Sequence, residues 1–150
     1  MADEIGPGPH VTAAFLCEKV LQEKDGVLTF VRLVDRFIRP RPTNQIPPQP
    51  IQVMLVAGLK GGVPTGNYKV KFRGFKPNTS SPFVEIEQDA FFEGTDDHGV
   101  TLGVPFLMLA DEEGPYRIEV SFEGRVLTQV TFRVIFVAAP LMQQPPRPGA

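Results

Sequence analysis

The fold of this chain is indicated by a seven-residue stretch, Gly66-Asn67-Tyr68-Lys69-Val70-Lys71-Phe72, in which charged and apolar side chains alternate after a turn glycine. Alternation with a period of two is typical of a β-strand that has one wet face and one buried face. The pattern occurs a second time as Gly114-Pro115-Tyr116-Arg117-Ile118-Glu119-Val120. The two copies predict two core strands, and neither carries a catalytic motif.

The residues that follow the first copy predict its hairpin partner. Lys69 and Lys71 share one face of their strand, and Glu85 and Glu87 share one face of the next. An antiparallel pairing of these strands sets opposite charges across from each other on the wet side, where each pair contributes about 0.2 to 1 kcal/mol. The sequence therefore predicts both the pairing and its register.

Apolar runs of strand length alternate with turn residues along most of the chain. They cover residues 11–17, 27–38, 51–59, 68–73, 83–88, 101–109, 116–122 and 126–136, while residues 18–24 fit one helical turn or a further short strand. The last two runs are expected to pair, with Val126 in the core. Eight or nine strands and no amphipathic helix predict an all-β fold, a two-sheet antiparallel β-sandwich.

Two of these runs, 51–59 and 104–109, are apolar on both faces. A strand with one wet face would alternate between apolar and polar residues. We therefore expect the second face of these strands to be covered by another segment or to take part in association.

The sixteen prolines mark the edges of the predicted domain. Residues 1–9 are predicted to be a disordered N-terminus and residues 138–150 a disordered proline-rich tail, because neither can bury apolar surface. The proline-rich segment 39–50 is interpreted as a stiff connection from one sheet to the other, and alternatively as a ligand for proline-binding grooves. Residues 10–137 are then a single sandwich domain.

A local resemblance supports the sandwich class. The stretch Glu112-Glu113-Gly114-Pro115-Tyr116-Arg117-Ile118 resembles the tyrosine-corner strand of immunoglobulin-like and fibronectin-like sandwiches. This resemblance implies an immunoglobulin-like fold in which the hydroxyl of Tyr116 bonds to the backbone a few residues upstream. The chain departs from immunoglobulins in having Ile118 at the position of the disulfide cysteine and in having no tryptophan.

A second resemblance covers most of the chain. The stretch His10-Val11-Thr12-Ala13-Ala14-Phe15-Leu16-Cys17, with the later Val31-Arg32-Leu33-Val34-Asp35-Arg36-Phe37, is similar to an uncharacterised family of small bacterial β-sandwich proteins. The similarity runs from His10 to Phe136. It implies a cytoplasmic sandwich of unknown function and supplies no functional residues.

The groups needed for catalysis are sparse, so we predict that the protein is not an enzyme. A nucleophilic triad needs a nucleophile, a base and an orienting acid within hydrogen-bond reach. The chain has two histidines and one cysteine, without zinc-ligand spacing and without a phosphate-binding glycine loop. Cys17 is expected to be a small buried apolar residue. We expect no catalytic residue, no cofactor and no metal site.

One stretch, from Pro77 to Tyr116, is acidic and holds no lysine or arginine. Glu93, Asp96 and Asp97 fit either a calcium loop or an ordinary solvated acidic loop. The second cluster, Asp111-Glu112-Glu113, is expected at the other end of the sandwich, too far away to share an ion. The neighbouring Phe91 and Phe92 are expected to be buried.

These observations predict a non-catalytic interaction or structural module that acts through a protein partner or through self-association. The candidate partner-binding residues are Glu93, Asp96, Asp97, Lys69 and Lys71. The alternative is a sandwich that binds calcium, lipid or carbohydrate. The net charge of −2 and the lack of an apolar run of about 20 residues favour neither nucleic acid nor membrane as a partner. The expected location is the cytoplasm of a bacterium.

Overall fold

Nine β-strands form the part of the chain that the structure describes. The computed structural model describes residues 8–95 and 97–138. The strands are β1 (His10–Gln22), β2 (Leu28–Leu33), β3 (Arg36–Pro40), β4 (Pro50–Lys60), β5 (Thr65–Phe75), β6 (Val84–Glu93), β7 (Gly99–Leu109), β8 (Gly114–Phe122) and β9 (Arg125–Val137). In these ranges no helix has the length and apolar character needed to cross a membrane.

The strands form two sheets that pack against each other. One has four strands in the order β2-β1-β4-β7, and the other has five in the order β3-β9-β8-β5-β6. The predicted all-β sandwich is confirmed. The prediction that all strands run antiparallel is wrong, because β3 pairs with β9 in parallel. Strand β3 enters the five-stranded sheet from the other sheet and not through a hairpin, so its direction is not constrained to be antiparallel.

The run 27–38, predicted as one strand, is divided between the two sheets. Arg32 has a φ of 52°, and the chain then leaves the four-stranded sheet at Val34 and Asp35. The backbone N–H of Val34 still donates to Leu16 O (3.0 Å), whereas Asp35 O accepts from the N–H of Arg133 (2.9 Å). These two adjacent residues therefore hydrogen-bond to different sheets. Residues 18–22 are extended but continue β1, so they form neither a helical turn nor a further separate strand.

The predicted hairpin register is confirmed. Lys69 lies opposite Asp89, Lys71 opposite Glu87, and Arg73 opposite Glu85. On the other face of β5, Val70 and Phe72 are fully buried, and Tyr68 packs against the core while remaining half-buried. Each large apolar side chain buried in this way stabilises the fold by about 1.5 to 3 kcal/mol.

Strands β8 and β9 also pair as predicted, and they hold the tyrosine corner. Tyr116 is buried opposite Phe132 with the two rings stacked at 5.1 Å, and its hydroxyl donates to Glu112 O (2.8 Å). The hydrogen bond implied by the resemblance is therefore present. Val126, in contrast, is 48 % exposed, so its predicted core position is wrong. It lies beside the hairpin turn, where a register shift at Val120 and Ser121 interrupts the alternation.

The proline-rich segment joins the two sheets, since β3 and β4 belong to different ones. Its ends are fixed by hydrogen bonds from Arg41 N to Val137 O (2.9 Å) and from Ala110 N to Gln49 O (2.8 Å). Within the predicted N-terminal and C-terminal disordered segments, residues 1–7 and 139–150 lie outside the described residues. Gly8 and Pro9 are described, and both are buried.

Candidate interaction surface

Two of the candidate residues, Lys69 and Lys71, lie on the outer face of the five-stranded sheet among carboxylates. Lys69 Nζ is 3.0 Å from Asp89 Oδ1, and Lys71 Nζ is 3.4 Å from Glu85 Oε1 and 3.9 Å from a carboxylate oxygen of Glu87. The hydrogen bond with Asp89 raises the pKa of Lys69 above its usual value. Both ammonium groups therefore already have counter-charges within their own sheet.

The same outer face continues onto β8. Arg73 Nη2 donates to Glu119 Oε2 (3.0 Å), and the guanidinium of Arg117 lies 4.1 Å from the centre of the Phe75 ring. We call this surface the charged face. Its ionic residues are Lys69, Lys71, Arg73, Glu85, Glu87, Asp89, Arg117 and Glu119.

The acidic candidates lie at one end of the sandwich, around the connection from β6 to β7. Glu93 Oε1 is 3.8 Å from His98 Nε2, and Lys60 Nζ donates to the backbone oxygen of Asp97 (3.1 Å). A hydrogen bond with the side chain of Thr95 lowers the pKa of Asp97. Asp96 lies outside the described residues. Among the described residues, no group of three or more histidine, cysteine or carboxylate side chains is placed to hold a metal ion.

The second acidic cluster lies at the opposite end of β7, as expected. Lys76 Nζ donates to Asp111 Oδ2 (2.6 Å), and Glu113 Oε2 accepts from the backbone N–H of Phe136 (2.6 Å). These carboxylates therefore bind neighbouring segments of their own chain. Phe92 is buried as expected, but Phe91 is exposed, because adjacent residues of a strand point to opposite faces.

The outer face of the four-stranded sheet differs from the charged face in its central positions, which carry no acidic or basic side chain between Lys19 on β1 and Lys60 on β4. We call it the apolar face. The register of β1, β4 and β7 places on it Ala13, Phe15, Cys17, Gln52, Met54, Val56, Gly58, Thr101, Gly103, Pro105, Leu107 and Leu109.

The apolar face has a buried floor and an exposed margin. Val56 is 2 % exposed although it lies outside the core between the sheets, because Phe15 pairs with it and Met54 is nearby. Along the edge strand β7, in contrast, Leu107 is 74 % exposed and Leu109 is 56 % exposed. Two large leucine side chains therefore extend into solvent beside a layer that is already apolar.

Cys17 belongs to the floor of this face. It is a free, buried cysteine opposite Met54, and burial raises the pKa of its thiol. The prediction that Cys17 is a buried residue is confirmed. A raised pKa disfavours the thiolate, which is the nucleophilic form of cysteine.

The potentially nucleophilic side chains of Ser121 and Cys17 contact backbone oxygens of their own chain. Ser121 is buried and its hydroxyl contacts Lys71 O (3.5 Å), while Cys17 Sγ contacts Lys19 O (3.5 Å). Within residues 8–95 and 97–138, no hydrogen bond joins a serine hydroxyl or the thiol to a histidine. The most unusual surface is the apolar face, because it exposes the large side chains of Leu107 and Leu109.

Comparison with known proteins adds no relative. No protein-family model matches the chain, and no curated protein matches its sequence. The class of protein is therefore the one that the fold itself defines, an all-β sandwich of two packed sheets.

The sequence-based candidates did not include the residues of the apolar face. The relevant signal was present in the two runs that are apolar on both sides, 51–59 and 104–109. Those runs form most of β4 and β7, which are neighbours in the four-stranded sheet. The pattern could not tell whether the second apolar side would be covered, because this depends on the order of strands in the sheets.

Proposed function

We propose that this protein is a non-catalytic interaction or structural module that acts through protein partners or self-association, with the apolar face as its binding surface. The observation that carries the proposal is the exposure of Leu107 and Leu109 on a face whose central positions carry no acidic or basic side chain. Monomeric proteins rarely expose contiguous apolar patches, and such patches commonly mark interaction sites.

The chemistry of the apolar face favours a protein partner over a lipid or a carbohydrate. Its exposed margin along β7 contains leucine, proline, threonine and glycine, and the face has no tryptophan or tyrosine. Sites at a membrane surface combine apolar side chains with basic or interfacial aromatic residues. The calcium alternative has less support, because the Asp97 carboxylate hydrogen-bonds with Thr95 and the Glu93 carboxylate lies 3.8 Å from His98 Nε2.

We also infer an immunoglobulin-like strand arrangement within the sandwich. The order β9-β8-β5-β6 corresponds to the G-F-C-C′ order of a variable-type domain, and the pairing of β4 with β7 corresponds to its B and E strands. Tyr116 on β8 would then be the corner tyrosine of strand F. The similarity to an uncharacterised bacterial family and the cytoplasmic location stay predictions.

The proposal is tested by capture experiments with matched variants. Leu107→Glu places a charge on the apolar face, whereas Val63→Glu makes a similar change at a residue of 71 % exposure in the loop between β4 and β5. We expect the wild type and Val63→Glu to retain the same bound partner, which can be another protein or a second copy of this chain. We expect Leu107→Glu to lose that partner. Equal retention by all three proteins would contradict the proposal.

A further inference from the structure

The edges of the two sheets differ in how well they are protected against the addition of a further strand. Natural sheets blunt their edges with short strands, prolines, bulges and lysines, because an unpaired edge presents backbone N–H and C=O groups to any extended chain. In the described sheets, the end strands are β2, β7, β3 and β6. Strand β7 contains Pro105, β3 has five residues and ends at Pro40, and β2 is interrupted by Arg32 with a φ of 52°. The edge formed by β6 is the least protected of the four.

Strand β6 is regular along its whole length and is paired on one side. Its ten residues include no proline, glycine, lysine or arginine, and all ten pair with β5 without a register shift. Within residues 8–95 and 97–138, no backbone hydrogen bond outside this ladder reaches β6. The backbone groups that point away from β5 are therefore unpaired in the described chain, where one more strand has room for a ladder.

The outward side chains of β6 give this edge a negative charge. Four of the five are carboxylates, and we call this side of β6 the acidic edge. They are Glu85, Glu87, Asp89 and Glu93. On the β5 side, Lys69 and Lys71 contact three of these carboxylates, whereas Arg73 donates to Glu119. The sequence from Pro77 to Tyr116 has no lysine or arginine, so β6 and β7 supply no basic side chain to the other side.

A second copy of this chain does not suit the acidic edge. Two β6 strands that pair across a two-fold axis keep the same outer face, so the carboxylates of both copies lie beside each other. Like charges on neighbouring strands destabilise a sheet. The acidic edge therefore opposes self-pairing and favours a strand with positive charges at its outward positions.

Strand β5 illustrates the sequence pattern that complements β6. In β5, Lys69, Lys71 and Arg73 alternate with apolar residues and lie opposite acidic positions of β6. On the inner face, Val84 and Ile86 are only partly buried, so apolar side chains of an added strand extend the contact. We propose that the acidic edge is a second binding site, which pairs with an extended segment of another protein in which lysine or arginine alternates with apolar residues. This site lies on the five-stranded sheet and does not depend on the apolar face.

The probe is a labelled synthetic peptide with the sequence of residues 65–75, which carries the complementary pattern. We expect it to bind the full chain saturably in fluorescence anisotropy. The matched control is the same peptide N-methylated at Val70 and Lys71, which keeps every charge. Adjacent residues of a strand direct their N–H groups to opposite sides, so one methyl group blocks the ladder whichever side faces β6. We expect this control peptide to bind about 10-fold more weakly or less.

Variants of the protein test the charges. Glu85→Gln combined with Glu87→Gln removes two carboxylates of the acidic edge, whereas Glu18→Gln combined with Glu23→Gln removes two exposed carboxylates near the turn between β1 and β2. Both variants have the same net charge. For the first, the dissociation constant of the peptide should rise by roughly 2- to 30-fold, the range for two cross-strand charge pairs, and for the second it should not change. Circular dichroism checks that both fold, which is expected because all four residues are exposed.

Amide hydrogen exchange locates the bound peptide. We expect it to protect alternate backbone amides of residues 84–93 and to leave those of β2, β3 and β7 unchanged. The proposal is overturned by the absence of saturable binding up to about 1 mM, by equal binding of the N-methylated peptide, by equal weakening in both variants, or by protection outside β6. Leu107→Glu should bind the peptide normally, so a failure here leaves the function proposed for the apolar face intact.

Discussion

The strands of both sheets direct alternate side chains outward, but the outer faces of the two sheets differ in the chemistry of those side chains. On the charged face, Lys71 and Arg73 have carboxylates within 3.4 Å and 3.0 Å. On the apolar face, Val56 is buried under its neighbours while Leu107 is exposed. The difference shows that the inward residues determine the sandwich fold. The outward residues determine whether the outer face of a sheet is suited to solvent or to a binding partner.

The largest expected effect comes from placing a charge in the floor of the apolar face. Val56→Asp buries an unpaired carboxylate between apolar side chains, so we expect a loss of about 3 kcal/mol or more in the free energy of unfolding. Urea denaturation at low protein concentration measures it. The control Val126→Asp, at a half-exposed residue of β9, should cost less than about 1 kcal/mol. Equal losses would show that the floor is not a packed layer.

The next effect is a pH dependence that belongs to the five-stranded sheet. Burial raises the pKa of Tyr116 from its ordinary value of 10.0 to about 12. Because the folded state holds the proton more tightly, this contribution to stability is fully present below pH 10 and is lost as the pH rises toward 12. Its size is roughly 2 to 3 kcal/mol.

Denaturation curves between pH 9 and pH 12 test this dependence. Tyr116→Phe is the matched control: it loses the hydrogen bond to Glu112 and is less stable at pH 8, but its stability should fall less steeply above pH 10. The same steepness in both proteins would assign the alkaline loss to other groups.

A smaller effect is expected for the ion pair between Arg73 and Glu119 on the charged face. The side chain of Glu119 is mostly buried, so Arg73→Met leaves a carboxylate without its partner and should cost about 1 to 2 kcal/mol. Arg73→Met combined with Glu119→Gln should recover part of this loss. A double-mutant cycle without coupling would show that the pair contributes nothing to stability.

The smallest effect is expected for Lys71, whose ammonium group is exposed between two carboxylates. Lys71→Ala should change the free energy of unfolding by about 0.2 to 1 kcal/mol, and the difference should shrink in high salt. The capture experiment with the same variant tests whether Lys71 binds a partner. Unchanged retention is expected, and reduced retention would bring the charged face into the binding surface.

The parts of the fold that could be predicted are those in which local sequence carries the pairing information. Opposite charges at matching positions were sufficient to predict the hairpin of β5 and β6, and the glycine before Tyr116 marked the corner. The break inside residues 27–38 has no local signal, because Val34 and Asp35 lie in a run rich in β-branched and aromatic residues and their hydrogen bonds go to distant residues. The parallel pairing of β3 with β9 has no local signal for the same reason.

The apolar character of the candidate surface could be predicted from the sequence, but its exposure could not. The absence of apolar–polar alternation indicated that β4 and β7 have two apolar sides, but the exposure of Leu107 depends on its strand being at a sheet edge. The sequence instead favours charged residues such as Lys69 and Glu93 as candidates. A sequence shows the charges, but their pairing with other side chains depends on the fold. In the folded chain Lys69 has Asp89 as its counter-ion, and the Glu93 carboxylate lies 3.8 Å from His98 Nε2.

The parallel pairing of β3 with β9 sets an order of events for synthesis of the chain. Arg36 of β3 lies beside Arg133 of β9. Strand β3 is synthesised early, but it can pair only after β9, the last strand, because β9 lies between β3 and β8 in the sheet. Contacts between such distant segments slow folding. On the ribosome, the four-stranded sheet and the pairs of β5 with β6 and β8 can form before β9 has emerged. A nascent chain stalled before residue 125 would therefore leave β3 without its neighbour in the five-stranded sheet.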